Sequence, residues 1–404
     1  MLLMIYYPTF QIAMTDILYC KQNEIIDCQK INQSISLSLQ YLIKSCKKNG
    51  QFTYRINVNP NHQPKLKYNM LRHAGVLYAL SQHYQSDHFN KKLSSIIRRS
   101  AIFLNQFIKK VDGNSDILAL WSDPIVTKSK KPLQAKLGGS GLSLVALCQS
   151  KQIFPDLCTN ERLKKLGNFI IFMQKSDGSF YSKYIPSDKG KSDKWQSLYY
   201  PGEAILGLLA LYQHDGNRKW LQAAIDSFLF YSNPENKVSN PEPNHWMIIS
   251  LARLFSLPDF NPDELLNHRL MNYAIDICKS ILELHIQHDL NQKLNGSFSI
   301  DGRLTPTSTM LEGLISSLFF LPSRETDLHK KIKSAVHSGI LLILNNQIKV
   351  GKYSGGIQRG IGQLHQSHPK YSQKFNRRVS EIRIDYVQHA LNALFLYSNV
   401  FCQK

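Results

Sequence analysis

Acidic residues are scarce, with 29 Asp and Glu against 49 Lys and Arg, so the formal net charge is +20. Cysteine is sparse too: the seven, Cys20, Cys28, Cys46, Cys148, Cys158, Cys278 and Cys402, are scattered and odd in number. None has CxxC spacing, so neither a zinc framework nor a disulfide ladder is legible. That scatter suits a reducing compartment, and a cytoplasmic location is the expectation. No stretch reaches the roughly eighteen uninterrupted apolar residues that a membrane helix needs. The apolar segment Met1 to Met14 carries no Lys or Arg ahead of its run, which makes it a poor signal peptide. Residues 1–30 are read as an N-terminal extension. No Asp-rich run is present to hold a diphosphate through magnesium, and no Cys-His-Gly segment to bind zinc. No metal or cofactor is therefore expected.

What the chain has is apolar content, 43% of 404 residues, enough to exclude a disordered or collagen-like protein. Helical periodicity dominates and recurs. One set of segments is rich in small residues and apolar on nearly all sides: Tyr68–Tyr84, Gly139–Gln149, Pro201–Gln213, Asn244–Phe255, Thr307–Phe320 and Arg383–Tyr397. A second set is amphipathic: Ile31–Lys47, Leu93–Lys110, Glu161–Gln174, Arg218–Tyr231, Glu264–His285 and His329–Gln347. The two sets alternate. A helix that is apolar all round must be surrounded by protein, so six helical hairpins closing into a ring satisfy the pattern. The expected fold is all-α, an (α/α)6 toroid forming a single domain over residues 31–404. An open solenoid of helical pairs is the alternative.

Connections from the second set to the first are long: Lys48–Lys67, Val111–Leu137, Lys175–Tyr200, Ile286–Pro306 and Ile348–Ile382. A return connection such as His214–Asn217 is short. In an alternating ring all the long loops fall on one rim, where they meet the N-termini of the inner helices. Long loops tend to carry function, and helix N-termini favour anions, which places the site on that rim. Three of these loops open on a shared turn, Asn49-Gly50-Gln51-Phe52, Asp177-Gly178-Ser179-Phe180 and Asn295-Gly296-Ser297-Phe298. Asx-Gly suits a tight turn with positive φ, and the Phe can plug the wall of the ring.

Polar residues collect at the heads of the inner helices. Asp385 and His389 are four apart, on one helical face, with Arg383 and Tyr386 beside them. Tyr200 and Glu203 open the segment Tyr-Tyr-Pro-Gly-Glu, in which Pro201 suits a first helical turn. His245 and Trp246 follow Asn244, a natural N-cap. Arg72, His73, Arg303 and Glu312 complete the set. Singly, each has a bland alternative, such as a capping carboxylate or a satisfied core histidine. Together, so many ionisable groups in a closed core must be paired or wetted. Aromatic and charged groups interleaved in a concave site suit a sugar.

The alternation, the small residues of the inner helices and the Tyr-Pro-Gly-Glu helix start resemble the toroid enzymes that act on carbohydrates. Within those, Gly355-Gly356, then Arg383-Ile384-Asp385-Tyr386 and Leu391-Asn392-Ala393-Leu394, resemble the C-terminal domain of the D-glucuronyl C5-epimerases. This chain departs from that pattern in its histidine, one place earlier at His389, and in a longer, more basic loop before Arg383. The resemblance implies proton abstraction beside a uronate carboxylate. Tyr200, Glu203, His245, Asp385, Tyr386 and His389 are then the candidate acid/base residues. Arg72 and Arg383 would hold the carboxylate, and His73, Trp246, Arg303 and Glu312 would complete substrate binding. The substrate would be an anionic glycan or sugar, drawn by the positive charge. A hydrolase on the same scaffold would need two carboxylates, from among Glu203, Glu312 and Asp385, and a lyase would use much the same groups as the epimerase. A non-catalytic scaffold that binds a polyanion or protein is the competing class. Nucleic acid is disfavoured, because the basic runs Lys128–Lys136, Lys183–Lys194 and Lys370–Arg378 read as solvated loop faces. The sequence leaves oligomeric state open.

Overall fold

The computed structural model describes residues 26–84, 91–236, 241–287, 293–322 and 326–402. Most of the N-terminal extension lies outside these residues. Fourteen helices are described: α1 Cys28–Ser45, α2 Met70–Tyr84, α3 Lys91–Asn105, the short α4 Pro124–Thr127, α5 Leu137–Ile153, α6 Asn160–Phe172, α7 Tyr200–Asp215, α8 Arg218–Tyr231, α9 His245–Phe255, α10 Glu264–Glu283, α11 Leu304–Ser317, α12 Thr326–Asn346, the short α13 Gln373–Arg378, and α14 Ile384–Phe401. Inner helices α2, α5, α7, α9, α11 and α14 each pack on the next, and α14 packs back on α2, so the ring is closed. The fold is an (α/α)6 toroid.

Burial follows the two sequence classes. All but the last few residues of α5 and α7 are shielded from solvent, whereas α3 and α8 bury a single stripe. Where inner helices touch most closely the side chain must vanish. A Cβ on Gly141 would meet the Glu203 carbonyl oxygen at 2.3 Å, and one on Gly202 would meet the Trp246 backbone at 2.7 Å. Small residues here are a condition of closure.

Outer helices pack on the inner helix before them, α3 on α2, α6 on α5 and α8 on α7, while α1 packs on α14. One of the six inner–outer pairs is therefore split between the two ends of the chain. Cys28, the first residue of α1, forms a disulfide with Cys402, just past α14. The sequence showed no legible disulfide pattern, and scatter along the chain hid a pair that the fold brings together. Among the described residues no helix is long and apolar enough to cross a membrane.

The long loops share one rim and pair with one another. β1 (Arg55–Asn57) runs antiparallel to β7 (Glu381–Arg383). β2 (Ile108–Val111), β3 (Asn114–Ser122), β4 (Gln134–Lys136), β5 (Lys183–Ile185) and β6 (Gly190–Ser192) form a five-stranded sheet in that order. The second outer helix accordingly ends at Asn105, short of the Lys110 expected from periodicity. The three Asx-Gly turns pack alike. Gly50 and Gly296, at φ of +87° and +85°, press against the backbone carbonyls of Arg99 in α3 and Ser338 in α12. Phe52, Phe180 and Phe298 are buried in the wall as expected.

Candidate active site

The inner helices aim their N-termini at a cavity of about 390 Å³ on the long-loop rim. Four of the six differ in capping from the outer helices, whereas Asn244 caps α9 and Asn69 accepts from Leu71 N–H at the head of α2. Asp27, Thr159, Asn217 and Asp263 cap α1, α6, α8 and α10 through their side chains. By contrast α5, α7, α11 and α14 start after Lys136, Tyr199, Arg303 and Arg383, none of which makes a side-chain cap. Three of those four positions carry a cation where an acceptor is normally preferred. The first N–H groups of α5, α11 and α14 donate to the loop carbonyls of Ser182, Arg359 and Tyr54, so it is the added positive charge at this rim that favours an anion.

Ten of the twelve residues singled out in the sequence line this cavity: Arg72, Tyr200, Glu203, His245, Trp246, Arg303, Arg383, Asp385, Tyr386 and His389. Asp385 lies between two guanidiniums. Arg383 binds both its oxygens, and Arg72 Nε lies 2.9 Å from Oδ2. Burial alone would raise this carboxyl, but Arg72 and Arg383 more than reverse that and hold it below the usual carboxylate range. Arg72 also donates to the Tyr54 hydroxyl, and Arg383 stacks 4.3 Å from the Tyr386 ring centroid. Both arginines line the cavity with part of each guanidinium engaged by Asp385. Arg303 is held by Asp301 at 2.8 Å.

Glu203 has no such partner. Its Oε2 is buried without a hydrogen bond, and burial pushes its carboxyl up to about 8, against a partial downward pull from Lys136 and Arg72. It is protonated at neutral pH, a proton donor facing a cavity.

Elsewhere in the cavity two imidazoles meet. His389 Nδ1 lies 2.6 Å from Glu312 Oε1, and Asn392 donates to the other oxygen at 3.1 Å. Glu312 does not line the cavity; it sits behind His389 as an anchor. The Nδ1–H then points at Glu312, which leaves Nε2 with the basic lone pair. His245 packs edge-on against His389 with ring centroids 5.9 Å apart. Both its ring nitrogens are buried and unpartnered, and burial, aided by His389, drives its pKa well down, so it stays neutral. Tyr199 and Trp246 flank it, each 5.1 Å away between centroids.

His73 is not brought to the cavity. It is sealed in the wall among Phe52, Tyr68 and Phe103, with Tyr68 OH 2.7 Å from Nδ1 and the Ser100 carbonyl 2.9 Å from Nε2. Burial pushes it down to about 4, as for a satisfied core histidine. Ten further cavity residues carry no role in the sequence reading, among them Tyr199, Gln388 and Arg359. Tyr199 and Gln388 adjoin residues that were singled out. Arg359 lies in the long loop after Gly355-Gly356, with no periodicity to mark it. Among the described residues no cluster of three or more His, Cys, Asp or Glu side chains could hold a metal ion.

No family model matches the chain, and no curated protein does. Solved structures do match in fold. Cellobiose 2-epimerase from Spirochaeta thermophila aligns with a TM-score of 0.63 at 10% identity, over 92% of this chain and 97% of that one. A D-mannose isomerase aligns with a TM-score of 0.63 at 10% identity, over 92% of this chain and 98% of its own. An unsaturated glucuronyl hydrolase specific for heparin aligns with a TM-score of 0.61 at 11% identity, over 93% and 99%. All are toroids; at such identities the likeness is one of fold.

Proposed function

We propose that this chain is a carbohydrate-active enzyme that removes and returns a carbon-bound proton of an acidic sugar, an epimerase- or isomerase-type reaction. The observation that carries the reading is the pairing of His389, oriented by Glu312, with the protonated Glu203 in another sector of the same cavity. His389 Nε2 takes the proton from the carbon beside the substrate's carbonyl or carboxylate carbon. The C–H electron pair moves into the adjoining bond to give an enol-type intermediate. Glu203 returns a proton to carbon from its side, and the proton held by His389 passes back to Glu203 through solvent, restoring both groups. The sugar does not fit between His245 and His389, whose rings are in contact, so the two imidazoles serve one face. Neutral His245 leaves His389 free to carry the charge.

The toroid neighbours named as a sugar epimerase and a sugar isomerase support this reading. Hydrolysis is less well supported. It needs two carboxyl groups flanking a scissile bond. Asp385 is committed to two arginines, and Glu312 lies behind His389. The catalytic domain is proposed to span residues 31–404, although its first helix starts three residues earlier, at Cys28. The cytoplasmic assignment fails if Cys28–Cys402 is intact in protein taken from its source, as alkylation and mass spectrometry can establish.

Proton NMR of uronate-containing sugars in D₂O tests the reaction. Deuterium entering the carbon beside the carboxylate is the expected result. His389→Gln should slow that exchange by about 10²–10⁴-fold with the fold retained. New olefinic signals would instead mean a lyase, and new reducing ends a hydrolase.

A further inference from the structure

Arg359 is the one cavity-lining arginine that forms no ion pair among the described residues. Its Nε is buried without a hydrogen-bond partner. Its guanidinium lies 5.3 Å from the Phe375 ring centroid, which fixes the plane of the head group. The backbone beneath it is held on both sides. Arg359 N–H donates to the Glu381 carbonyl at 2.8 Å, and its own carbonyl accepts from Leu304 N–H at 3.1 Å. Bridges from Gly360 to Arg303 and from Gln358 to Ile382 continue the pairing. Three adjacent extended segments thus present Arg303, Arg359 and Arg383 at the cavity, and only the middle one lacks a carboxylate.

The charge balance of the cavity points the same way. Arg72, Arg303, Arg359 and Arg383 bring four positive charges, and Asp301 and Asp385 supply two negative ones. Glu203 adds none while protonated, and a neutral His389 on the Glu312 carboxylate leaves that pair with one negative charge. An excess of about one positive charge remains in a partly enclosed space, where it attracts anions more strongly than in open water.

We infer that Arg359 is the specificity-determining residue of this site and that it receives a sugar carboxylate as a bidentate guanidinium pair. This deepens the acidic-sugar reading and rests on it. It moves the carboxylate from Arg72 and Arg383, which hold Asp385, to a residue with its donors unspent. A planar fork matches a planar carboxylate better than a lysine or a lone helix terminus does.

Binding measured by calorimetry separates this from the reaction itself. The probes are a glucuronyl-glucose disaccharide, the matched glucosyl-glucose disaccharide and a 6-sulfated version of the latter. Wild-type protein should bind the glucuronyl sugar about 10–100-fold tighter than the neutral one, as a charge-assisted bidentate pair implies. Arg359→Gln should erase that difference and leave neutral-sugar affinity within about 3-fold, while Arg359→Lys should restore part of it. Thermal melts close to wild type would show that the variants fold. The assignment is overturned if Arg359→Gln weakens both disaccharides alike, if it spares the glucuronyl sugar, or if the wild type does not bind that sugar at millimolar concentration. Tight Arg359-dependent binding of the sulfated sugar alone would also overturn it in favour of a tetrahedral anion. Arg359-dependent binding without deuterium exchange would sustain this inference and sink the reaction. Exchange on neutral sugars that ignores Arg359 would do the reverse.

Discussion

Asp385 and Glu203 occupy corresponding places, in the first turns of α14 and α7, and are equally hidden, at 4% and 3% exposure. Their surroundings differ in one respect. The head of α14 supplies Arg383 from its own N-cap position and meets Arg72 from α2, so Asp385 is ionised and doubly paired. At the head of α7, Glu203 lies against the backbone of Gly138. A Cβ there would come within 1.8 Å of Oε2, so the carboxyl fills the notch that glycine leaves. Nothing in that notch donates to it, and it holds its proton up to about 8. Depth of burial is common to both and cannot set the charge. The partners do, and one rim therefore holds a fixed anion and a stored proton.

Removing the anion should have the largest effect. Asp385→Asn strands Arg72 and Arg383 in a buried site, and chemical denaturation should show a loss of about 3–5 kcal/mol. A loss below about 1 kcal/mol would mean that water already serves both arginines. Glu203→Gln should act in the other direction and depend on pH. Because the folded pKa is raised, to about 8, the neutral carboxyl supports the fold fully below the unfolded value near 4.3. That support is lost as pH climbs through 8. The variant should therefore match wild type near pH 4 and exceed it by a few kcal/mol above about pH 8, as melts across that range can read. A flat difference with pH would place Glu203 among solvated carboxylates. The smallest change sharpens the contrast. Lys136 pulls the Glu203 carboxyl down, so Lys136→Met should move its titration upward in carbon-detected NMR.

How far the residues foretold this arrangement varied with the kind of signal. Helix-period apolarity located all twelve ring helices, because a buried helix and a half-buried one differ in every turn. Loop length located the rim. The cavity residues lay in first turns and could be read off as polar intrusions into apolar segments. His73 satisfied the same criterion and misled. It sits in the same turn as Arg72, but the helix rotation from one residue to the next turns it into the wall, beside Tyr68 and Ser100. Arg359 was missed for the opposite reason. It lies on an extended loop segment, and its place follows from pairing with strands more than fifty residues before it and twenty after it.

The sequence by itself determined the ring. Alternating all-apolar and one-sided helices admit few ways of burying their surfaces, and the small residues mark where backbones must touch. Its composition also set the sign of the charge on offer. Tertiary structure alone decided which of those charges are spent. Pairing of Asp385 with Arg72, of His389 with Glu312 and of Cys28 with Cys402 joins residues 313, 77 and 374 positions apart. These pairs join α14 to α2, α14 to α11 and the start of α1 to the end of α14, and no local pattern encodes contacts between separate helices. The same packing leaves Glu203 without a partner and Arg359 without a counter-ion.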